Sequence, residues 1–494
     1  MQKITINKFT GMASTPRAMS ESLCAMSQGF DPKLKPYRES EDQTQTNYWI
    51  QAFIQSANGK VYGVGSLRDG SYQRVEIYKQ DDAYDSWETL SNSQASSVTP
   101  GNPQFLVEYK NYIWGASGAG TALWKYGDTS GSPTFTDAGH SLTFGAISNA
   151  IVHSRDDIMY FGYSNSSGVP YIARNNNGSW NDTVLQLPSG FVITSVCEYG
   201  NYLAIACRPK SYSGNSRVFL WDRDSSVTTL SESIDWGSGY LYHIEEVDGI
   251  LVGVSSNYVS GFSITPTLSL KYYTGAVAKT YETLEATTTD DTQGRLTIGS
   301  VKQKADNALY FPLKIERKDE AFIGAFRVLK TSTGFSLSFA HKINNDTALD
   351  PDSDINSFLL VGDYMFYSFG AGAAMITTRT TDNATEYDST SLLETLINQG
   401  QDEETAHRNK KLYFVGVKTE AMPDDGIITI EYGVDGGAYE TIGTFTTNDG
   451  VYHEFGDISG TPFKDGHDYQ FRFKSYGGAE IVSYSYQIEI INEQ

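Results

Sequence analysis

Residues 191–221 read FVITSVCEYGNYLAIACRPKSYSGNSRVFLW, and the order of signals in this stretch decides the fold. An apolar run, Val192 to Tyr199, ends at Gly200-Asn201, and a second run, Tyr202 to Cys207, starts at once. A two-residue Gly/Asn step between apolar runs is a strong short-range hairpin signal, because tight primed turns need left-handed backbone. A Gly/Ser-rich loop follows, then a third strand from Arg217 (RVFLWDRD) and a weaker fourth from Val227 (VTTLSES). The unit is four antiparallel strands long.

The same unit recurs along the chain. Core strands start at Val61 (VYGVGS), Tyr112 (YIWGAS), Ile158 (IMYFGYS), Tyr202 (YLAIAC), Ile250 (ILVGVSS), Ala308 (ALYFPLKI) and Tyr364 (YMFYSFG), at spacings of 51, 46, 44, 48, 58 and 56 residues. Each follows another apolar strand across a short turn: ANGK, KN, GN, VDG, ADN or GD. Four strands repeated at about 40–50 residues is the period of a β-propeller blade. One such sheet cannot bury both faces, and stacking blades radially buries them and leaves only short edges. Solenoid coils are usually shorter than these units; two packed sandwiches are the alternative. The stretch 266–299 resists a clean assignment to one blade.

After about Asn398 the texture changes. A polar linker (QGQDEETAHRNKK) leads to strands that alternate polar and apolar residues, as in Gln470-Phe471-Arg472-Phe473-Lys474. Period-two alternation marks a half-buried antiparallel sheet. SLLETLINQG, from Ser391, is read as a strand leading into it. The expected fold is all-β: a seven-bladed β-propeller-like repeat domain over 47–398 and a small antiparallel β-sandwich over 399–494, after an extended N-terminal segment over 1–46.

Composition agrees: 33 Tyr, 24 Phe and 46 Gly favour strands and tight turns. A net charge of −22 argues against duplex binding, since an acidic surface repels phosphates, and its simplest role is solubility. Three cysteines, Cys24, Cys197 and Cys207, make no disulfide framework; they are expected as free buried thiols of a protein folded in a reducing cytoplasm. The first 30 residues contain no continuous apolar core of a secretory signal, and no run of about 18 apolar residues could span a membrane.

Chemistry is harder to find. The seven histidines, His140, His153, His243, His341, His407, His453 and His467, show no metal-ligand spacing and are read as surface or turn residues. There is no nucleophile elbow, P-loop or CxxC. Glycosidases need two convergent carboxylates, which 59 acidic residues leave possible. The repeated S-x-D-x-G-x-x-W turn of sialidase propellers is matched only once and imperfectly, by Asn176-Asn177-Gly178-Ser179-Trp180. Asp350-Pro351-Asp352-Ser353-Asp354-Ile355-Asn356 resembles the front of a calcium loop, but Ile355 stands where Gly is needed and Val361 where a bidentate Glu belongs. Trp221-Asp222 is a single WD dipeptide without its Gly-His partner. No catalytic, cofactor or metal residues are assigned, and the chain is expected not to be an enzyme.

Both ends of the chain resemble bacteriophage tail proteins. Phe9-Thr10-Gly11 and Leu34-Lys35-Pro36-Tyr37-Arg38 are similar to the start of phage tail and neck proteins. Glu394-Thr395, Lys410-Lys411-Leu412, Glu420, Pro423, Gly426, Tyr432 and Asp435-Gly436-Gly437 resemble a strand, a basic step and a sandwich motif of the same proteins. Short podovirus-type tail nozzles are similarly built from a propeller and small β domains. The resemblance implies a non-enzymatic virion protein of the tail (a nozzle, hub or tube-end ring), made in the host bacterial cytoplasm. It implies copies of itself in a ring, neighbours such as adaptor, tail fibre or tailspike proteins, and DNA passing without specific binding. A carbohydrate- or receptor-binding module is the alternative, with Tyr212 and Tyr240 as candidate exposed loop aromatics; a polysaccharide-cleaving enzyme is a third.

Overall fold

The computed structural model describes residues 2–6, 11–12, 23–28, 43–45, 50–69, 72–80, 87–94, 103–117, 122–127, 134–141, 147–211, 214–224, 226, 230–257, 266–286, 296–299, 301–317, 320–331, 334–342, 355–362, 364–369, 373–378, 391–395, 408–424, 426–435, 437–446, 451–456, 463–477 and 479–491. Every strand or helix assigned among them is a β-strand. The chain divides into two compact units, one of residues 43–323 with 345–376, the other of residues 1–42, 324–344 and 377–494.

The first unit is a β-propeller. Blade one is Ala52–Gln55, Val61–Asp69, Tyr72–Gln80 and Trp87–Gln94; blade two is Pro103–Tyr109, Tyr112–Ser117, Ala122–Gly127 and Thr134–Ser141. Blade three is Ile147–His153, Ile158–Ser164, Pro170–Asn176 and Ser179–Gln186; blade four is Phe191–Tyr199, Tyr202–Pro209, Asn215–Trp221 and Glu232–Ser238. Blade five is Tyr240–Val247, Ile250–Ser256, Thr267–Tyr273 and Ala278–Glu285. Each is an antiparallel sheet in chain order. The sixth position is held by Ala308–Arg317, paired on one edge with Leu296–Ile298 and Gln303–Ala305. Blade seven begins Ile355–Val361, Tyr364–Phe369, Ala373–Thr378. The difficult stretch 266–299 thus splits between the last two strands of blade five and the edge of position six.

Hairpin turns set the register. Lys110-Asn111, Asp248-Gly249 and Asp306-Asn307 each carry two consecutive positive φ values, the signature of type I′ turns. Neighbouring blades bury their faces against each other. Tyr160, Ile172 and Leu185 of blade three pack with Leu203, Ile205, Cys207, Phe219 and Trp221 of blade four. The other face of that strand presents Ala204 and Ala206 to Trp236 of its own sheet and to Leu241 and Ile244 of blade five. A strand buried on both faces has no reason to alternate with polar residues, which is why YLAIAC reads as a continuous apolar run. Small residues make room for indoles elsewhere: a Cβ on Gly253 would lie 2.7 Å from Trp236. Trp236 is itself 1% exposed and has nowhere to go. Gly253→Val is therefore expected to cost about 1–3 kcal/mol through overpacking, read as a lower unfolding midpoint; an unchanged midpoint would refute this packing.

Closure comes from the start of the chain. Gln43–Gln45 adds to Ala373–Thr378 as the fourth strand of blade seven, with Gln43 opposite Ile376 and Gln45 opposite Ala374. Blade seven then packs on blade one through Leu359, Val361 and Phe366 against Ile50, Phe53 and Trp87.

The second unit is a sandwich of two sheets. One has the order Gln2–Ile6, Ile481–Ile490, Lys410–Thr419, Tyr452–Gly456. The other includes, in order, Gly334–Lys342, Leu23–Gln28, Ser391–Thr395, Tyr469–Tyr476, Ile427–Val434, Glu440–Thr446. Facing aromatics join them: Phe471 lies 4.9 Å from Tyr486 and Phe473 lies 4.6 Å from Tyr484.

These limits correct the boundaries 1–46, 47–398 and 399–494 expected from the sequence. The N-terminal stretch is not a separate extended segment: it supplies Gln2–Ile6 and Leu23–Gln28 to the sandwich unit and Gln43–Gln45 to the propeller. The physical reason is edge pairing. A strand far away in sequence satisfies a sheet edge as well as a neighbour does, and no local pattern announces it.

Candidate functional site

Among the described residues, the turns that join the first and second strands of the blades carry a series of polar contacts between neighbouring blades. The first strands of blades one to five follow one another as neighbours, the first strand of blade seven neighbours that of blade one, and Tyr240–Val247 neighbours Ala308–Arg317, which sets the turns of these blades side by side. Glu108 accepts from Ala57 N–H across blades one and two. Tyr109 donates to the Asp157 carbonyl at 3.1 Å, and Lys110 pairs with the Asp157 carboxylate, across two and three. Ser154 donates through Oγ at 2.7 Å to Glu198 across three and four, and Gly200 N–H reaches Glu246 at 3.4 Å across four and five. Lys302 binds Glu245 at 2.6 Å, and Gln303 donates to the Leu360 carbonyl at 2.7 Å across six and seven. At the other end of the strands, Ser368 Oγ donates to the Gln51 carbonyl at 3.0 Å across seven and one.

Chemically, these carboxylates act as acceptors that fix one blade's turn to the next. The sequence carries a signal for three of them. Glu108-Tyr109-Lys110-Asn111-Tyr112, Glu198-Tyr199-Gly200-Asn201-Tyr202 and Glu246-Val247-Asp248-Gly249-Ile250 share a Glu, an apolar residue, two turn residues and an apolar residue. Read only as hairpin signals, they hide the Glu.

A second cluster lies between blades three and four. Asp156 accepts from Arg223 Nε at 2.9 Å and from Tyr160 OH at 3.0 Å, and His153 Nδ1 lies 3.6 Å from Asp156. Arg223 adopts φ 68°, a conformation held by these bonds and by its donation to the Asn201 carbonyl. Burial lowers the His153 pKa, partly opposed by Glu198 and Asp156. In blade five, His243 Nε2 bonds the Gly299 carbonyl at 2.8 Å, and burial lowers its pKa to about 4. The reading of all histidines as surface or turn residues is corrected here: His153 and His243 are 0% and 1% exposed. Each lies on a first strand whose two sides are covered by neighbouring blades.

The other sequence candidates have structural roles where they are described. Asn177-Gly178 is a hairpin turn whose Asn177 N–H donates to Tyr109 OH at 2.8 Å, and Trp180 stacks on His140 at 3.7 Å. His140 in turn meets Asp182 at 2.8 Å. Trp221 is buried, and Asp222 accepts from Asp224 N–H at 3.1 Å. Tyr240 is not an exposed loop aromatic: it is half-buried at the start of a strand, with the Arg208 guanidinium 4.7 Å from its ring centre. Tyr212 and Asp350 to Asp354 lie outside the described residues, while Ile355 is a buried strand residue. Cys197 and Cys207 are free and buried on adjacent strands, and burial pushes both thiols up in pKa. Such thiols are poor nucleophiles. Among the described residues, no group of three or more His, Cys, Asp or Glu is placed to hold a metal.

The C-terminal motif is equally architectural. Lys410 is fully buried, and its Nζ donates to the Arg408 carbonyl at 3.2 Å and to the His467 carbonyl; burial lowers its pKa. Asp435, at φ 52°, accepts from His467 and Asp468 N–H, each at 2.8 Å. Tyr432 packs edge-on against Phe463 at 5.4 Å, and Gly426 N–H closes a turn on the Pro423 carbonyl at 2.8 Å. Phe9, Thr10, Leu34 to Arg38 and Gly436 lie outside the described residues.

No protein-family model matches the sequence. No curated protein matches it either. Among solved structures, the chain is similar to a catalytically inactive virginiamycin B lyase of Staphylococcus aureus in complex with quinupristin, at 11% identity and TM-score 0.43, over 68% of this chain and 98% of that one. It is also similar to a putative 6-phosphogluconolactonase of Bacteroides uniformis, at 12% identity and TM-score 0.41, over 58% and 83%. An exo-β-1,3-galactanase of Phanerochaete chrysosporium is matched at 11% identity and TM-score 0.31, over 90% and 100%. No helix among the described residues is long and apolar enough to cross a membrane.

Proposed function

We propose that this chain is a structural, non-enzymatic component of a bacteriophage tail, of the nozzle, hub or tube-end kind. One observation carries most weight. Described segments from both ends of the chain pair within the sandwich unit. Gln2–Ile6 pairs with residues 484–488, and Leu23–Gln28 pairs with Ser391–Thr395, including the Glu394-Thr395 of the motif. The C-terminal stretch of the resemblance thus shares its sheets with strands from the start of the sequence. The turn carboxylates that tie neighbouring blades together suit a rigid body, and a net charge of −22 suits a wall past which DNA slides without sticking.

In this reading copies of the chain assemble head to tail into a closed ring and contact adaptor, fibre or tailspike proteins. The expected result is that an antibody to the purified chain labels the tail of intact particles, and that the purified chain gives one discrete multimeric mass. A chain that stays monomeric at every concentration and is absent from particles would end the proposal.

A further inference from the structure

We propose that blade seven is the release point of the propeller: its closing strand peels away from Ala373–Thr378 while the other outer strands stay paired. The outer strands of blades one to five are seven or eight residues long, and each follows its partner directly in the chain. The closing strand is three residues, Gln43–Gln45, and pairs only with Ala374, Met375 and Ile376. Its composition, Gln-Thr-Gln, offers little apolar surface to hold it. No hairpin turn tethers it to its partner, so each release loses contacts without the immediate re-closure that a short loop provides.

The inner part of the blade has separate anchors that survive release: Ser368 Oγ on the Gln51 carbonyl at 3.0 Å, and Phe366 against Phe53 and Trp87 at ring distances of 5.8 and 6.1 Å. Release is thus local, and the ring body stays whole.

Hydrogen exchange of the full chain tests this. Peptides covering 373–378 are expected to exchange about tenfold or more faster than those covering 170–176, the equivalent third strand of blade three, because opening free energies differ between segments. A cross-strand disulfide, Thr44→Cys with Met375→Cys, is expected to abolish the difference when oxidised and restore it when reduced. Thr44→Pro, which removes a strand N–H, is expected to speed exchange in 373–378 only. Equal protection of the two segments in the unmodified chain would overturn the proposal whatever the variants do. So would an oxidised disulfide that leaves exchange in 373–378 unchanged.

Discussion

Trp221→Ala is expected to destabilise the propeller by about 3–5 kcal/mol, the range for removing a fully buried indole. Trp221 is 0% exposed at the junction of blades three and four, with Tyr160 edge-on at 5.8 Å. The side chain fills the space between two sheets that are each fixed by their own hairpins, so neither sheet can collapse freely into the hole. Trp221→Phe keeps most of the volume and is expected to cost much less. Denaturant unfolding followed by intrinsic fluorescence measures both. If Trp221→Ala unfolds within about 1 kcal/mol of the parent, the inter-blade core is not what holds the ring. The loss should also be local at first, with exchange rising in blades three and four before blades one and two.

The second large effect is acid sensitivity at His243. Its folded pKa of about 4 lies below the usual histidine value, because burial disfavours the charged ring and the nearby Lys302 adds to this against the Gly299 hydrogen bond. The unfolded chain takes up a proton near pH 6.5 that the folded chain refuses until about pH 4. Stability from this group is therefore fully present above about pH 6.5 and falls as pH drops through that window. The total loss is ~3 kcal/mol by pH 4, with no further change below. His153 is shifted in the same direction and adds to the slope. In His243→Gln the amide can still donate to Gly299 O, but nothing titrates at that position. Thermal midpoints of the parent and of His243→Gln should converge with acidification from pH 7 to 4. Parallel curves would show that His243 does not titrate as its burial dictates.

Most of the propeller is legible in the sequence because its units are local. A hairpin with Gly200-Asn201 or Asp248-Gly249 needs only its own turn residues and two apolar runs, all within about twenty positions. The unread parts are non-local. Gln43–Gln45 is polar, short and paired with residues some 330 positions away, so its strand character comes from the edge it meets. Gln2–Ile6 alternates like any strand, but nothing in QKITI names Ile481–Ile490 as its partner. His153 and His243 occupy positions whose burial depends on a neighbouring blade, which a single-strand reading cannot supply. The inter-blade carboxylates are visible as letters but not as acceptors, since their donors sit on other blades and several, such as Ala57 and Gly200, are backbone N–H groups that every residue carries.

The closing strand and the first sandwich strand also set a timetable for folding. Both leave the ribosome well before their partners, which lie hundreds of residues later in the chain. At roughly 5–20 residues per second, translation takes on the order of 15–60 seconds to travel from one half of the blade-seven pair to the other. Through that interval blades one to five can form in order, each handed a hairpin-connected outer strand, while the arc stays open with a bare edge. Long-range pairing of this kind is slow even after synthesis ends. The nascent chain therefore spends its most aggregation-prone minute as a growing crescent, and the high negative charge would keep neighbouring crescents on one polysome apart until the last strand arrives.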